Sequence, residues 1–226
     1  MKKNNILIIA PHADDEILGC GGMISKIVDQ NNIYILILTN AARGNKDKFS
    51  ENYILNLRKE ALKAHKFIGI KNTFFEDFPA PMLDQVPSYL ISDTISNYLK
   101  KIKPTKVFLP FYGDTHIDHK ITYEASIVAL RPFIYKDIKS IFCYETLSET
   151  EFGIQKNNYF FNPNYFVSLS RKDLSNKIKL LKFYKSQIKT YPHPRSIKGI
   201  EILSLYRGLM SNNIYSEAFI KIREYD

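Results

Sequence analysis

The chain has only two cysteines, Cys20 and Cys143, and no apolar run that approaches the ~20 residues needed to span a bilayer. Two isolated cysteines exclude a disulfide framework and a thiolate metal site, and a reducing, cytoplasmic setting is expected. Met1–Asn5 carries two lysines, but the apolar run that follows, Ile6–Ala10, is too short for a signal-peptide core and leads at once into His12 and a set of carboxylates. Internal repeats, low-complexity linkers and blocks of basic residues are also missing. A dinucleotide fingerprint is absent too. Gly19-Cys20-Gly21-Gly22 does not have G-x-G-x-x-G spacing, and the second apolar run, Ile33–Leu38, ends in Thr39-Asn40 rather than in an acidic residue. Close packing of a helix on a sheet is the better reading of these glycines.

What is present describes one soluble domain over residues 1–226, with 45% hydrophobic and 24% charged residues. The net charge of +9 favours anionic partners, but the lysines are scattered along helix faces, so a solvated surface is expected and nucleic acid is not. A homo-oligomer is left open. Apolar runs at Ile6–Ala10, Ile33–Leu38, Thr73–Phe75, Val107–Pro110, Ile141–Tyr144 and Tyr165–Leu169 read as buried strands. Between them, Ile17–Gln30, Tyr53–Ile68, Ser88–Ile102 and His119–Leu130 have helical period. This alternation predicts a doubly wound, Rossmann-like, mostly parallel α/β sheet with helices on both faces. Lys172–Lys189 and Ile197–Met210 follow as helices, with a turn at Tyr191-Pro192-His193-Pro194. Tyr215–Ile222 reads as a closing strand or, from Ser216, as a helix.

The chemistry concentrates at two strand tips. Pro11-His12-Ala13-Asp14-Asp15-Glu16 follows the first strand, and Gly113-Asp114-Thr115-His116-Ile117-Asp118-His119 follows Val107–Pro110. In open α/β sheets such carboxyl-end tips are where ligands bind, and two tips loaded with His and Asp point to one shared metal site. His12 and Asp15 share one turn, and His119 supplies a third group. Two His and one carboxylate form a recurring open zinc site. Each residue also has a plainer reading: His12 as packing in the turn, Asp14 as a helix N-cap, His116 as a surface loop residue and His65 as a packed core residue.

With both motifs in this order, the chain resembles the PIG-L (LmbE-like) zinc-dependent N-deacetylases, which carry P-H-x-D-D-E after the first strand and H-x-D-H or x-x-D-H after a later one. Gly19–Gly22, Glu145–Gly153, Phe161-Asn162-Pro163-Asn164 and Tyr191-Pro192-His193-Pro194-Arg195-Ser196 look like the bacterial sugar-deacetylase branch. Ala13 stands where the family motif has Pro, which removes a backbone constraint but no ligand. The resemblance implies Zn2+, or another divalent transition metal, on His12, Asp15 and His119. It also implies that Asp14 is the general base for a metal-activated water.

His116 is then expected to stabilise the oxyanion or protonate the leaving amine. Asp118 would orient the ring of His116 or of a ligand His, and Glu16 would serve capping or support. Arg43, Arg58, His193 and Arg195 are candidates for gripping the substrate. The implied substrate is an N-acetylated amino sugar, free, phosphorylated or nucleotide-linked. Amide cleavage of thiol–sugar conjugates and a non-catalytic sugar- or nucleotide-binding module are the alternatives.

Overall fold

The computed structural model describes residues 3–153 and 160–226, so Met1 and Lys2, read above with the N-terminal segment, lie outside the described residues. The first half alternates β1 (Asn4–Ala10), α1 (Asp15–Ile27), β2 (Asn31–Asn40), the short α2 (Ala41–Gly44), α3 (Glu51–Ile68) and β3 (Asn72–Pro79). A 3₁₀ turn at Leu83–Gln85 leads to α4 (Ser88–Ile102), β4 (Lys106–Pro110), α5 (Ile117–Ala129) and β5 (Ser140–Tyr144). The chain closes with β6 (Tyr165–Leu169), α6 (Arg171–Phe183), α7 (Ile197–Met210) and β7 (Tyr215–Glu224).

One seven-stranded sheet results, in the order β3-β2-β1-β4-β5-β7-β6. The first five strands are mutually parallel, and β7 runs antiparallel to both β5 and β6. Tyr215–Ile222 is therefore strand, not helix. Its Phe219 and Ala218 are buried between β5 and β6, where a pleated, half-apolar segment satisfies two neighbours' backbone groups.

Alternate residues of the central strands feed two cores. Ile6, Ile8 and Ala10 pack with Ile17 and Ile24 of α1, Ala61 and Ala64 of α3, and Leu180 and Leu181 of α6. Leu7 and Ile9 pack on the other face with Ile91, Ile95 and Leu99 of α4 and Ala125 of α5. Helices thus cover both faces, as the doubly wound expectation requires.

Local signals set most boundaries. Ser50 caps α3 by accepting the Tyr53 N–H, and Gly69, at φ 88°, ends it in the left-handed conformation that glycine tolerates. Ser170 and Asp173 form a capping box at α6. The helix expected to reach Lys189 stops at Phe183, because the fully buried Tyr184 turns its hydroxyl to Glu16. Gly19 lies so close to β5 that a Cβ would sit 2.2 Å from the Tyr144 ring, which fits the packing reading of the glycines. No helix among the described residues is long and apolar enough to cross a membrane.

Candidate functional site

β1 and β4 are adjacent parallel strands, yet the chain winds away from them in opposite directions, so their tips flank the switch point of the sheet. The turn after β1 delivers His12, Asp14 and Asp15. The turn after β4 delivers Asp114 and His116, and the first turn of α5 delivers Asp118 and His119. Both strand tips lead into helix N-termini, whose dipoles favour negative charge there.

Asp14 occupies the N-cap position of α1 but makes no side-chain cap. Its carbonyl, not its carboxylate, receives the Ile17 and Leu18 N–H groups. It stands at φ 119°, a backbone conformation that costs a non-glycine residue ~1–3 kcal/mol and persists only where the surroundings enforce it. Glu16 supplies part of that enforcement by accepting the Asp14 N–H at 3.0 Å through Oε2. Its other oxygen takes the Tyr184 hydroxyl and contacts His65 Nε2 at 3.0 Å. Glu16 thus anchors the turn from beneath, and His65 is buried against it.

Ligand atoms of His12, Asp15 and His119 lie within 4.8 Å of one another, as do those of a second group, His12, His116 and Asp118. The first group passes a stricter test. Asp15 Oδ1 and His119 Nε2 are buried and have no hydrogen-bond partner among the described residues, although His119 Nε2 stands 3.2 Å from Asp15 Oδ2 without hydrogen-bond alignment. Orphaned buried polar atoms are rare and costly, and a cation held between these two would satisfy both. His119 Nδ1 is held by the buried carboxylate of Asp114 at 2.7 Å, which fixes the tautomer that leaves Nε2 able to coordinate. The residues fit a divalent metal.

Asp118 lies against His12, not His116. Its Oδ2 is 3.1 Å from His12 Nε2 and 3.9 Å from His116 Nδ1, and its Oδ1 accepts the Leu83 N–H. His116 is the N-cap of α5, which begins at Ile117 rather than at His119, and its Nδ1 accepts the Asp118 N–H at 3.1 Å. The proton of a neutral His116 is thereby assigned to Nε2.

The charges follow from burial and neighbours. Burial disfavours the charged form of His12, but hydrogen bonds to Asp118 and Asp15 prevail and raise its pKa to about 9. His119 is also raised, with Asp15 and Asp114 overcoming burial, and His119 and His12 hold Asp15 well below the usual carboxylate range despite its own burial. His116 is lowered to about 4 by burial and by the neighbouring His12 and His119. Burial pushes Asp14 up to about 7 against the pull of Arg195.

A cleft of about 310 Å³ opens from His12, Asp14 and His116 toward Ile37, Phe49, Tyr53, Leu57 and Phe75, with Lys48, Arg58, Gln187 and Arg195 among its walls. Among the described residues, Asp14 is the only carboxylate lining it. Arg58 lines it while donating to Asp77 at 2.7 Å and to the Glu76 carbonyl. Arg195 lines it and donates to Asp14 Oδ2 at 3.0 Å. Two of the four residues expected to grip substrate are not cleft residues. Arg43 is 51% exposed and faces Glu51 at 3.6 Å, because α2 turns it outward. His193 is exposed and accepts the Arg195 N–H, which uses it inside its own loop. The sequence reading missed Asp114 as the carboxylate behind His119; its only trace in the sequence is an Asp five residues before that histidine.

Fold and site together define an α/β protein with a two-His, one-carboxylate cluster able to hold a metal ion at the switch point of its sheet. The chain matches the sequence model of the family described as PIG-L, GlcNAc-PI de-N-acetylase, over residues 7–130, and it belongs to that family of deacetylases, which are hydrolases. It is 29% identical over 191 residues to the uncharacterized deacetylase YaiS of Escherichia coli (strain K12), covering 82% of this chain and 92% of that protein. It is 25% identical over 223 residues to the diacetylchitobiose deacetylase of Thermococcus kodakarensis, covering 94% and 80%. Among solved structures, the zinc inhibited form of teicoplanin deacetylase Orf2 superposes with a TM-score of 0.78 over 99% of both chains at 16% identity, a likeness of fold.

Proposed function

We propose that the protein is a zinc-dependent N-deacetylase that releases acetate from an N-acetylated amino sugar. His12, Asp15 and His119 would hold the ion. Asp14 beside them, buried, strained and not used as a cap, is the observation that carries this reading. When bound, a divalent ion supplies carbonyl polarisation and acidification of water. Asp14 Oδ1 has no hydrogen-bond partner among the described residues, so it can take the proton of the attacking water while Oδ2 stays on Arg195. The His116 Nε2–H donates to the oxyanion of the tetrahedral intermediate. Asp14 then returns its proton to the leaving nitrogen as the C–N bond breaks, giving acetate and a free amine.

The cleft suits a sugar. Phe49 and Tyr53, ring centroids 5.4 Å apart, offer an apolar ledge for a pyranose face, and Arg58, Gln187 and Lys48 can meet hydroxyls or an attached phosphate. Thiol–sugar amides would use the same machinery. Amine release from free, phosphorylated and nucleotide-linked N-acetylhexosamines, diacetylchitobiose and a thiol–sugar amide should identify the class. Asp14→Asn should keep metal while lowering kcat by ~10²–10⁴-fold on the best of them. Wild-type turnover by metal-loaded Asp14→Asn would place the base elsewhere, and no amine release from any N-acetyl sugar would overturn the substrate assignment.

A further inference from the structure

Arg195 reaches Asp14 across 181 positions of sequence, from the loop between α6 and α7. Its side chain is 19% exposed, and its fork is occupied by the protein itself. Nη1 donates to Asp14 Oδ2 at 3.0 Å, Nε donates to Ser148 Oγ at 2.6 Å, and Nη2 lies 3.5 Å from Glu149. The loop is fixed as well. The Arg195 N–H donates to His193 Nδ1, its carbonyl accepts the Lys189 N–H, and the next residue, Ser196, caps α7 by accepting the Gly199 N–H. Gly199 seats the loop so closely that a Cβ there would lie 2.2 Å from the Pro194 carbonyl oxygen. Nε and one N–H of Nη1 are thus committed to the protein and Nη2 faces the Glu149 carboxylate, so a substrate would meet a guanidinium already paired with Asp14.

We infer that Arg195 is a positioning residue: by holding Asp14 Oδ2 from a rigid loop, it leaves Oδ1 as the one oxygen aimed at the attacking water. The inference rests on Asp14 being the base. Without the clamp, the carboxylate can rotate or pair both oxygens elsewhere, and a misplacement of ~1 Å at a reacting group costs on the order of 10²-fold.

The test compares Arg195→Met, Arg195→Lys and Asp14→Asn, each zinc-loaded, on diacetylchitobiose and N-acetylglucosamine, together with a crystal structure of Arg195→Met. Arg195→Met should lose ~10²-fold in kcat with KM little changed and metal content unchanged. Added guanidinium should restore part of that loss but none of the loss in Asp14→Asn, and Arg195→Lys should retain intermediate kcat. The Asp14 carboxylate should leave its position in the Met variant. A raised KM with kcat held would make Arg195 a substrate grip, and an unmoved Asp14 carboxylate would overturn the clamp even without turnover data. If Arg195→Met does not fold, full wild-type kcat in Arg195→Lys overturns the inference instead. Activity retained in Asp14→Asn would sink the base assignment, whereas an inactive Asp14→Asn beside a fully active Arg195→Met would sink only the role of Arg195.

Discussion

Two buried charged clusters are built against the same helix, α1, and they are finished differently. Against its middle, Lys177 and Glu217, 4% and 5% exposed, form an ion pair at 2.6 Å. Lys177 also donates to the Leu18 carbonyl, and Glu217 accepts the N–H groups of Gly22 and Met23. Every one of these contacts is internal, and the cluster ties α6 and β7 to α1. At the N-terminus of α1, Asp15 Oδ1 and His119 Nε2 are just as buried and have no hydrogen-bond partner among the described residues. A closed cluster explains itself as architecture, because its desolvation is offset within the protein. An open one leaves a cost of ~1–3 kcal/mol per orphaned group that only an exogenous species can remove. Burial alone therefore does not separate function from structure, and a missing partner does so only together with ligand chemistry: the hydroxyls of Thr122, Ser126 and Thr146 are also buried without partners among the described residues, but only Asp15 and His119 set a carboxylate oxygen and an imidazole nitrogen beside each other.

The sharpest way to break this contrast is to remove a member of the open cluster. His119→Ala should abolish stoichiometric zinc binding, since two protein ligands cannot readily close the site. Metal analysis after dialysis checks it, and wild-type occupancy in the variant would return His119 to mere packing. The counterpart is Lys177→Met, which leaves the Glu217 charge and the Leu18 carbonyl buried without their partner. Such a break costs ~3–5 kcal/mol, or roughly 6–20 °C in Tm for a chain of this size, while zinc stoichiometry and kcat at 25 °C hold. An unchanged Tm would deny the pair its structural role. Loss of zinc would show that the two clusters act as one unit.

The open cluster was far more legible in the sequence than the closed one, for a physical reason. His12, Asp14 and Asp15 crowd one turn directly after an apolar strand, a density that packing does not require, and His119 repeats the pattern at a second strand tip. Lys177 and Glu217 belong to residue types that ordinarily sit on surfaces, lie 40 positions apart and carry no periodic signal, so nothing local marks them as buried. The fold was readable to the same degree. Strands buried on both faces announce themselves as continuous apolar runs, whereas β3, at an edge of the sheet, carries Glu76 and Asp77 and so extends beyond the Thr73–Phe75 that its apolar residues suggest. The Arg195 pairing with Asp14 is a tertiary fact. Sequence could point to the Pro-rich loop as rigid, but not to its partner.

The smallest expected effect probes the boundary between the two kinds of cluster, at Asp114. This residue is closed on itself, with Oδ2 on His119 Nδ1 and Oδ1 accepting the Thr150 hydroxyl at 2.6 Å, yet it serves the open site by setting the His119 tautomer. Asp114→Asn keeps the shape but offers only one acceptor. If the amide oxygen stays on His119, coordination survives with a less basic imidazole. If it turns to Thr150, the amide N–H₂ faces Nδ1, moves the ring proton to Nε2 and blocks the coordinating nitrogen. Either route weakens metal binding, and the loss typical of such partners is ~10–100-fold in affinity. Competition against a chelator of known affinity measures it, and Thr150→Val separates the routes. In the Asp114→Asn background, Thr150→Val removes the competing donor and should recover part of the affinity if the amide had turned, and none if it had not. Undiminished affinity in Asp114→Asn alone would show that Asp114 is architecture after all, and that the orphaned Nε2 owes its tautomer to something else.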